Sequence, residues 1–416
     1  MIYKVINFFQ KYDDSKIKIT CIVFVILCSV NISFGQDVWL QKDSVNGSPR
    51  SSAASFVMNG EGFVVSGLDI IDFNRKMYSY DVEQDDWDKE ESIGGENGSG
   101  LNRGGAIAFS INNKGYVGLG QGNTAPYYND LWEFDPVANT WTQKASFIGS
   151  PRRQAVAFSI NDTAYVGTGQ SSNGFENDFY SYNGMTNTWN QLNDFGGTAR
   201  KGAVGFSMGG QGYVGTGDDG VYKNDFWQYQ PITDTWIEKA SFPSTARTGA
   251  CGWGIFPTAF IACGYDNTLN YKKDVWEYNY FADVWIQRSN MIGPKRTNAN
   301  AFVINGIAYL GLGYNGVYLD DFYEYTPILT LNEANDNQSI SAFPNPTVNT
   351  LTIEFKNKLS SDCSIFLFNS KGQEVSKHVT LKSNSILELN FELPKGIYFY
   401  KVQSDKDVMI GKFIVK

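Results

Sequence analysis

Six arginines, Arg50, Arg103, Arg152, Arg200, Arg247 and Arg296, each stand 17 residues before a glycine, the second of a Gly-x-Gly or near-Gly-x-Gly element. The glycines are Gly67, Gly120, Gly169, Gly217, Gly264 and Gly313. A guanidinium grips carboxylates and phosphates through a planar fork of donors, so six equivalent arginines could clamp an anion or a polar ligand. The same arginines could instead pair with the recurring Asp130, Asp178, Asp225, Asp274 and Asp321 and with backbone carbonyls, because buried charge is normally paired. A residue present in every copy reads first as scaffold. The residue after each glycine is less uniform: Leu68, Gln121, Gln170, Asp218, Tyr265 and Tyr314, with Asp219, Asp266 and Asn315 beside them. Aromatics next to carboxylates and amides suit sugars, which need ring stacking and planar hydrogen-bonding groups. Ordinary solvated loop composition is the plainer reading. Asp218, Asp219 or Glu176 with an arginine could serve as acid and base, but no spacing singles them out and no catalytic residue is assigned. Zinc, P-loop and nucleophile-elbow motifs are absent from the sequence. No metal or other cofactor is expected.

These positions recur with a tryptophan in each unit: Trp39, Trp87, Trp141, Trp189, Trp236 and Trp285, at steps of 48, 54, 48, 47 and 49 residues. A period of that length marks a stacked or circular array. In the second unit, Ala106–Ile111 reads as a short strand, Asn112–Gly115 as a turn and Tyr116–Gly120 as the returning strand. Asp130–Phe134 and Thr140–Lys144 follow, joined by a turn at Asp135–Asn139. Four short antiparallel strands per repeat define a propeller blade. An aromatic sits three residues before each Asp position (Phe73, Tyr127, Phe175, Tyr222, Tyr271, Tyr318), and that uniformity argues for packing.

The Asn129–Pro136 run, Asn139-Thr140-Trp141 and the arginine before the first strand resemble kelch repeats, six times over residues 37–330. The usual Gly-Gly doublet is replaced by Val117-Gly118-Leu119-Gly120, Val166-Gly167-Thr168-Gly169 and Val214-Gly215-Thr216-Gly217. The resemblance implies an all-β, six-bladed kelch-type propeller. Six Arg-to-Asp segments and six Trp strands close most economically if Val38-Trp39-Leu40 completes the last blade, which removes exposed sheet edges. The arginines would then ring the mouth of the central channel. Kelch proteins that bind acidic peptides are similar to this arrangement. The kelch propellers similar to galactose oxidase use copper held by histidines. This propeller has none, since the only histidine is His378. Kelch sialic-acid mutarotases need only acid and base groups, so a mutarotase or epimerase is the alternative to a binding module.

The Asp-to-Trp spacing is 11 in all four complete internal copies, whereas Trp-to-Arg is 11 in five units but 16 before Arg103, where Gly94–Gly100 adds chain. The loops from glycine to Asp range from 8 to 10 residues. In an antiparallel blade these variable connections share one face, and function usually sits on variable loops carried by a rigid scaffold. That face is the expected binding surface.

A net charge of −9 argues against nucleic acid or an anionic membrane surface as partner. Lys11, Lys16 and Lys18 precede the apolar run Ile19–Val30, and Ser33-Phe34-Gly35 supplies small residues for cleavage, so 1–35 reads as a secretory signal. Its removal takes away four lysines and two aspartates, leaving −11 and no membrane span. Lipidation at Cys28 is disfavoured by Leu27. Cys251, Cys263 and Cys363 remain, an odd number that rules out a complete disulfide framework and points to buried thiols. Residues 331–341 read as a linker. From Ala342-Phe343-Pro344-Asn345-Pro346, short alternating strands predict a small Ig-like β-sandwich over 342–416. That Pro-Asn-Pro start, Leu393-Pro394-Lys395-Gly396-Ile397-Tyr398 and the final strand Lys412–Lys416 resemble the Por-type sorting tail of type IX secretion in Bacteroidota. The resemblance implies the type IX machinery as partner, export through the periplasm, and tail removal at the cell surface. The expected function is non-catalytic binding of a glycan or protein there.

Overall fold

A computed structural model of the chain describes residues 37–327 and 340–416, apart from 96, 97, 99, 124, 125, 356–362, 377, 378, 382–385 and 404–407. The signal segment 1–35, most of the linker (331–339) and His378 lie outside the described residues. Residues 37–416 belong to one compact unit.

Among the described residues before 328 lie six main antiparallel sheets, five of four strands and the first of five because Arg50–Ser51 joins it, with a small three-stranded and a small two-stranded sheet beside them. Their innermost strands are Ala54–Met58, Ile107–Ile111, Val156–Ile160, Val204–Met208, Cys251–Ile255 and Asn300–Ile304. In most of them buried and half-buried residues alternate strictly. The second strands are buried on consecutive residues, such as Ala164–Gly167, because neighbouring sheets cover both faces. Tight hairpins join first to second strands, and Asn59, Asn112, Asn161 and Asn305 take the left-handed conformation that Asn tolerates. The sixth sheet is completed from far away in sequence: Val38–Lys42 lies against Phe322–Thr326, with Trp39 opposite Tyr325.

The innermost strands touch in cyclic order, the last meeting the first. Two backbone hydrogen-bond circuits accompany them. In one, Gly67, Gly120, Gly169, Gly217 and Gly264 donate to the carbonyls of Arg103, Arg152, Arg200, Arg247 and Arg296, and Gly313 returns to Arg50. The other runs Ser52→Asn298→Gly249→Gly202→Gln154→Gly105→Ser52. The constant arginine-to-glycine spacing therefore measures the step from one sheet to the next. All six glycines have φ near +100°, a region costly for other residues. The tryptophans stitch the outer strands: the indoles of Trp39, Trp87, Trp141, Trp189 and Trp285 donate to Ser289, Asp43, Glu91, Ala145 and Ala240 of the adjoining repeat. Trp236 has no such partner.

The C-terminal part holds two antiparallel sheets. One contains Ile340–Phe343, Thr350–Phe355 and Ile386–Asn390; the other contains Val379–Leu381, Cys363–Asn369, Gly396–Gln403 and Val408–Val415. Leu351, Ile353, Ile365, Leu367, Tyr400 and Val402 meet in a shared core. Cys251, Cys263 and Cys363 are buried and not joined in a disulfide.

Candidate functional site

All six arginine side chains are fully buried. In five repeats the guanidinium lies against the carboxylate of the Asp that precedes the third strand. Arg103 donates to Asp130 at 2.6 and 2.7 Å, Arg247 to Asp274 at 2.7 and 2.8 Å, and Arg296 to Asp321 at 2.6 and 2.7 Å. Arg152–Asp178 and Arg200–Asp225 have the same bidentate form. Each of these arginines also donates to the carbonyl preceding the repeat glycine and to the carbonyl two residues upstream of itself. A phenylalanine or tyrosine ring covers every guanidinium. Burial pushes the Asp225 and Asp274 carboxyls up, but the facing arginines win and hold both below the usual carboxylate range.

The first repeat departs. Lys76 occupies the Asp position, and Arg50 donates instead to Asn74 Oδ1 at 3.1 Å and to the Ser66 carbonyl. Arg50 Nη2 and Asn74 Nδ2 are buried without a hydrogen-bond partner. Burial lowers the Arg50 pKa, the expected consequence of a guanidinium lacking a carboxylate in contact.

The expectation that the arginines ring the channel mouth differs from what the structure places there. The channel is lined instead by the small residue three positions after each arginine, Ala53, Ala106, Ala155, Ala203, Ala250 and Ala299, and encloses about 170 Å³. The arginines sit beside it, with their donors turned into the sheets.

The residues after the repeat glycines do form a rim, and all are half-buried. One arc is polar. Arg153 donates to the side-chain carbonyls of Gln121 and Gln170, reaching Gln170 Oε1 at 3.0 Å. Lys201 reaches the same Gln170 oxygen at 3.2 Å and lies 3.9 Å from Asp218. The other arc is aromatic. Ring centroids run Tyr222–Tyr265 5.5 Å, Tyr265–Tyr271 6.2 Å, Tyr271–Tyr314 6.2 Å and Tyr314–Tyr318 5.1 Å. Tyr222, Tyr271 and Tyr318, expected as packing residues, are therefore half-exposed members of the rim. Arg153 and Lys201 were missed by the sequence reading. Each directly follows a repeat arginine, and the corresponding residues elsewhere (Ser51, Gly104, Thr248, Thr297) are uncharged, a signal that comparison of the copies at that offset would have found.

Two of the nearby carboxylates, Asp219 and Asp266, are held as anions. Partial burial pushes Asp219 up, but Lys223 at 2.7 Å, the Thr198 hydroxyl at 2.7 Å and the Val221 N–H bring it down to about 2. Asp266 is likewise held well below the usual range by Lys272 at 2.6 Å and by Thr268. Glu176 accepts from Ser171 Oγ at 2.5 Å. The described part of the Gly94–Gly100 insert wraps Arg75, whose Nη1 donates to the carbonyls of Ile93 and Gly95 at 2.7 and 2.9 Å. No cluster of histidine, cysteine or carboxylate able to hold a metal exists among the described residues, and none of their helices is long and apolar enough to cross a membrane.

Comparison with known proteins adds two findings. Residues 341–416 match the secretion system C-terminal sorting domain, the Por secretion tail. YjhT, a kelch-type propeller protein of known structure, superposes with a TM-score of 0.52 at 14% identity, covering 61% of this chain and 88% of that one. No curated protein sequence matches the chain. The class so defined is an all-β propeller followed by a sorting tail. The tail marks the chain for type IX secretion to the cell surface or the extracellular space.

Proposed function

We propose that this chain is a secreted or surface-displayed kelch-type propeller whose loop-variable face binds a glycan or protein without catalysis. The six sheets are its blades, occupying 36–330 and closed by the strand around Trp39. Residues 1–35 are its cleaved signal, 331–341 its linker and 342–416 its Ig-like sorting domain. The observation that carries the binding reading is the divided rim, with five tyrosines along one arc and Gln121, Arg153, Gln170, Lys201 and Asp218 along the other. Half-exposed aromatic faces beside a planar amide and cation network suit a sugar ring or a polar peptide. A general acid working near neutral pH needs a raised carboxyl pKa. Asp219, one of the carboxylates weighed for that role, is held low instead by Lys223 and Thr198 and is disfavoured as the acid.

A glycan array probed with residues 36–416 tests this reading. Signals on a defined glycan family that vanish in Tyr265→Ala and Tyr314→Ala, with melting unchanged, support it. Sugar anomerisation followed by NMR that is accelerated by the wild type and lost in Asp218→Asn would replace it with the enzyme reading.

A further inference from the structure

The face opposite the rim carries the first-to-second and third-to-fourth strand hairpins. Across the repeats, the first hairpin residue is Asn59, Asn112, Asn161, Gly209, Phe256 and Asn305. The third-to-fourth turns hold Val82-Glu83, Pro136-Val137, Gly184-Met185 and Pro231-Ile232, but Tyr280-Phe281 in the fifth sheet. The Asn-to-Gly, Asn-to-Phe and turn-to-aromatic departures fall side by side, and the C-terminal part covers all of them. Phe256 lies 5.5 Å from Phe399 and 6.1 Å from Phe368, and Phe281 lies 5.1 Å from Phe368, centroid to centroid. Lys401 Nζ sits 5.8 Å from the Phe281 ring and 5.7 Å from that of Phe366. Burial in this contact lowers the Lys401 pKa. Gly372 abuts Gly209 so closely that a Cβ on Gly372 would stand 2.2 Å from the Gly209 Cα.

The sorting domain shows the complementary asymmetry. Phe366, Phe368, Phe399 and Lys401 form two cross-strand pairs on the face turned away from its own core. On that face Phe368 and Phe399 are buried while Ile397 and Gln403 are exposed. An outward pair of phenylalanines is hard to explain in a free sandwich but expected at an interface.

We propose that Phe256, Tyr280, Phe281 and the Gly209 notch form a built-in cradle for the chain's own sorting domain. Cargo and tail then travel as one body, the ligand rim faces away from the tail, and cutting the linker does not by itself separate the pieces. The occupant is assigned by what is seated there and by the restriction of the repeat departures to its footprint.

The test restores the repeat. Gly209→Asn gives the fourth sheet the residue that four others carry, which tolerates the left-handed turn but whose Cβ would stand 2.9 Å from the Phe256 ring and push that ring out of the cradle. Phe281→Ser removes the central ring. Hydrogen–deuterium exchange on residues 36–416 should show backbone amides of 366–373 and 397–401 exchanging at least tenfold faster in both variants, with the strands of the fourth and fifth sheets unchanged. The radius of gyration from solution scattering should rise. Wild-type protein cut in the linker should co-elute as one species, and the cut variants as two. Unchanged exchange in both variants, or separation of the cut wild type, overturns the cradle. If one variant fails to fold, the other and the cut wild type still decide.

Discussion

Replacing Lys76 with aspartate should stabilise the protein. Five repeats show what belongs at that position: a carboxylate taking both Nη atoms of the buried arginine and a further hydrogen bond from the aromatic two residues on, such as Trp132 to Asp130 at 2.8 Å. In the first repeat that aromatic is Tyr78, whose ring lies 5.2 Å from the Arg50 guanidinium, and Arg50 Nη2 and Asn74 Nδ2 have no hydrogen-bond partner. A hydrogen bond to a charged group contributes about 1.5–3 kcal/mol, and removing one partner of a buried ion pair costs about 3–5 kcal/mol. The gain from Lys76→Asp is smaller than that cost, because Asn74 and the field of Asp69 already offset part of the charge, and the new carboxylate must itself be desolvated. We expect about 1–3 kcal/mol. Lys76 is exposed, so its loss costs little beyond the about 0.5 kcal/mol typical of surface positions. Urea titration of residues 36–416 would show a higher midpoint at unchanged slope, and melting would rise by about 1–2 °C per kcal/mol. Lys76→Ala removes the lysine without adding a carboxylate and should be neutral. An aspartate variant no more stable than the alanine variant would refute the view that the first repeat lacks a charge partner.

Asp274→Asn should destabilise by about 3–5 kcal/mol, because it strands a buried guanidinium; thermal melting measures it. The Asp225 and Asp274 carboxyls have folded pKa values depressed below about 3.9, so their contribution is complete above that pH and is lost as pH falls through the folded values. Melting should be flat in this respect from about pH 5 to 8 and fall below about pH 4, less steeply in Asp274→Asn. Deleting residues 37–46 removes the outer strand of the sixth sheet and the Trp39–Ser289 bond, so the whole ring should melt earlier, and an unchanged melt would argue against closure. Deleting 342–416 should leave the protein in the periplasm, as surface proteolysis would show.

Much of this was legible because the chain contains its own alignment. Arg50 to Gly67 and its equivalents repeat without a gap, since a one-residue slip would break the bond from each glycine to the next arginine carbonyl. Sheet order followed from that periodicity, including the long-range place of Trp39. The rim was harder to read. Which residues reach a ligand depends on how half-buried side chains lean around a ring, and spacing does not encode that. Thus Gln121, Gln170, Asp218, Tyr265 and Tyr314 were nominated by their variability, whereas Arg153 and Lys201 were overlooked and Tyr271 was assigned to packing. The Asn74 substitute for a carboxylate was equally hidden, because it lies two residues from where the pattern places the acid. The five-residue insert, expected to serve a ligand, encloses Arg75 in its described part.

The seam between Val38–Lys42 and Phe322–Thr326 also sets an order of events in time. Trp39 and its carbonyl partner Ser289 are 250 residues apart in sequence, so the earliest strand made waits for the last repeat before it finds a neighbour. Contacts of such separation form slowly. During that interval each nascent ring carries both a loose strand and, once the sixth sheet arrives, an unfilled berth. At high local concentration the loose strand of one molecule fits the berth of another, and strand-swapped dimers are the assembly error this architecture invites.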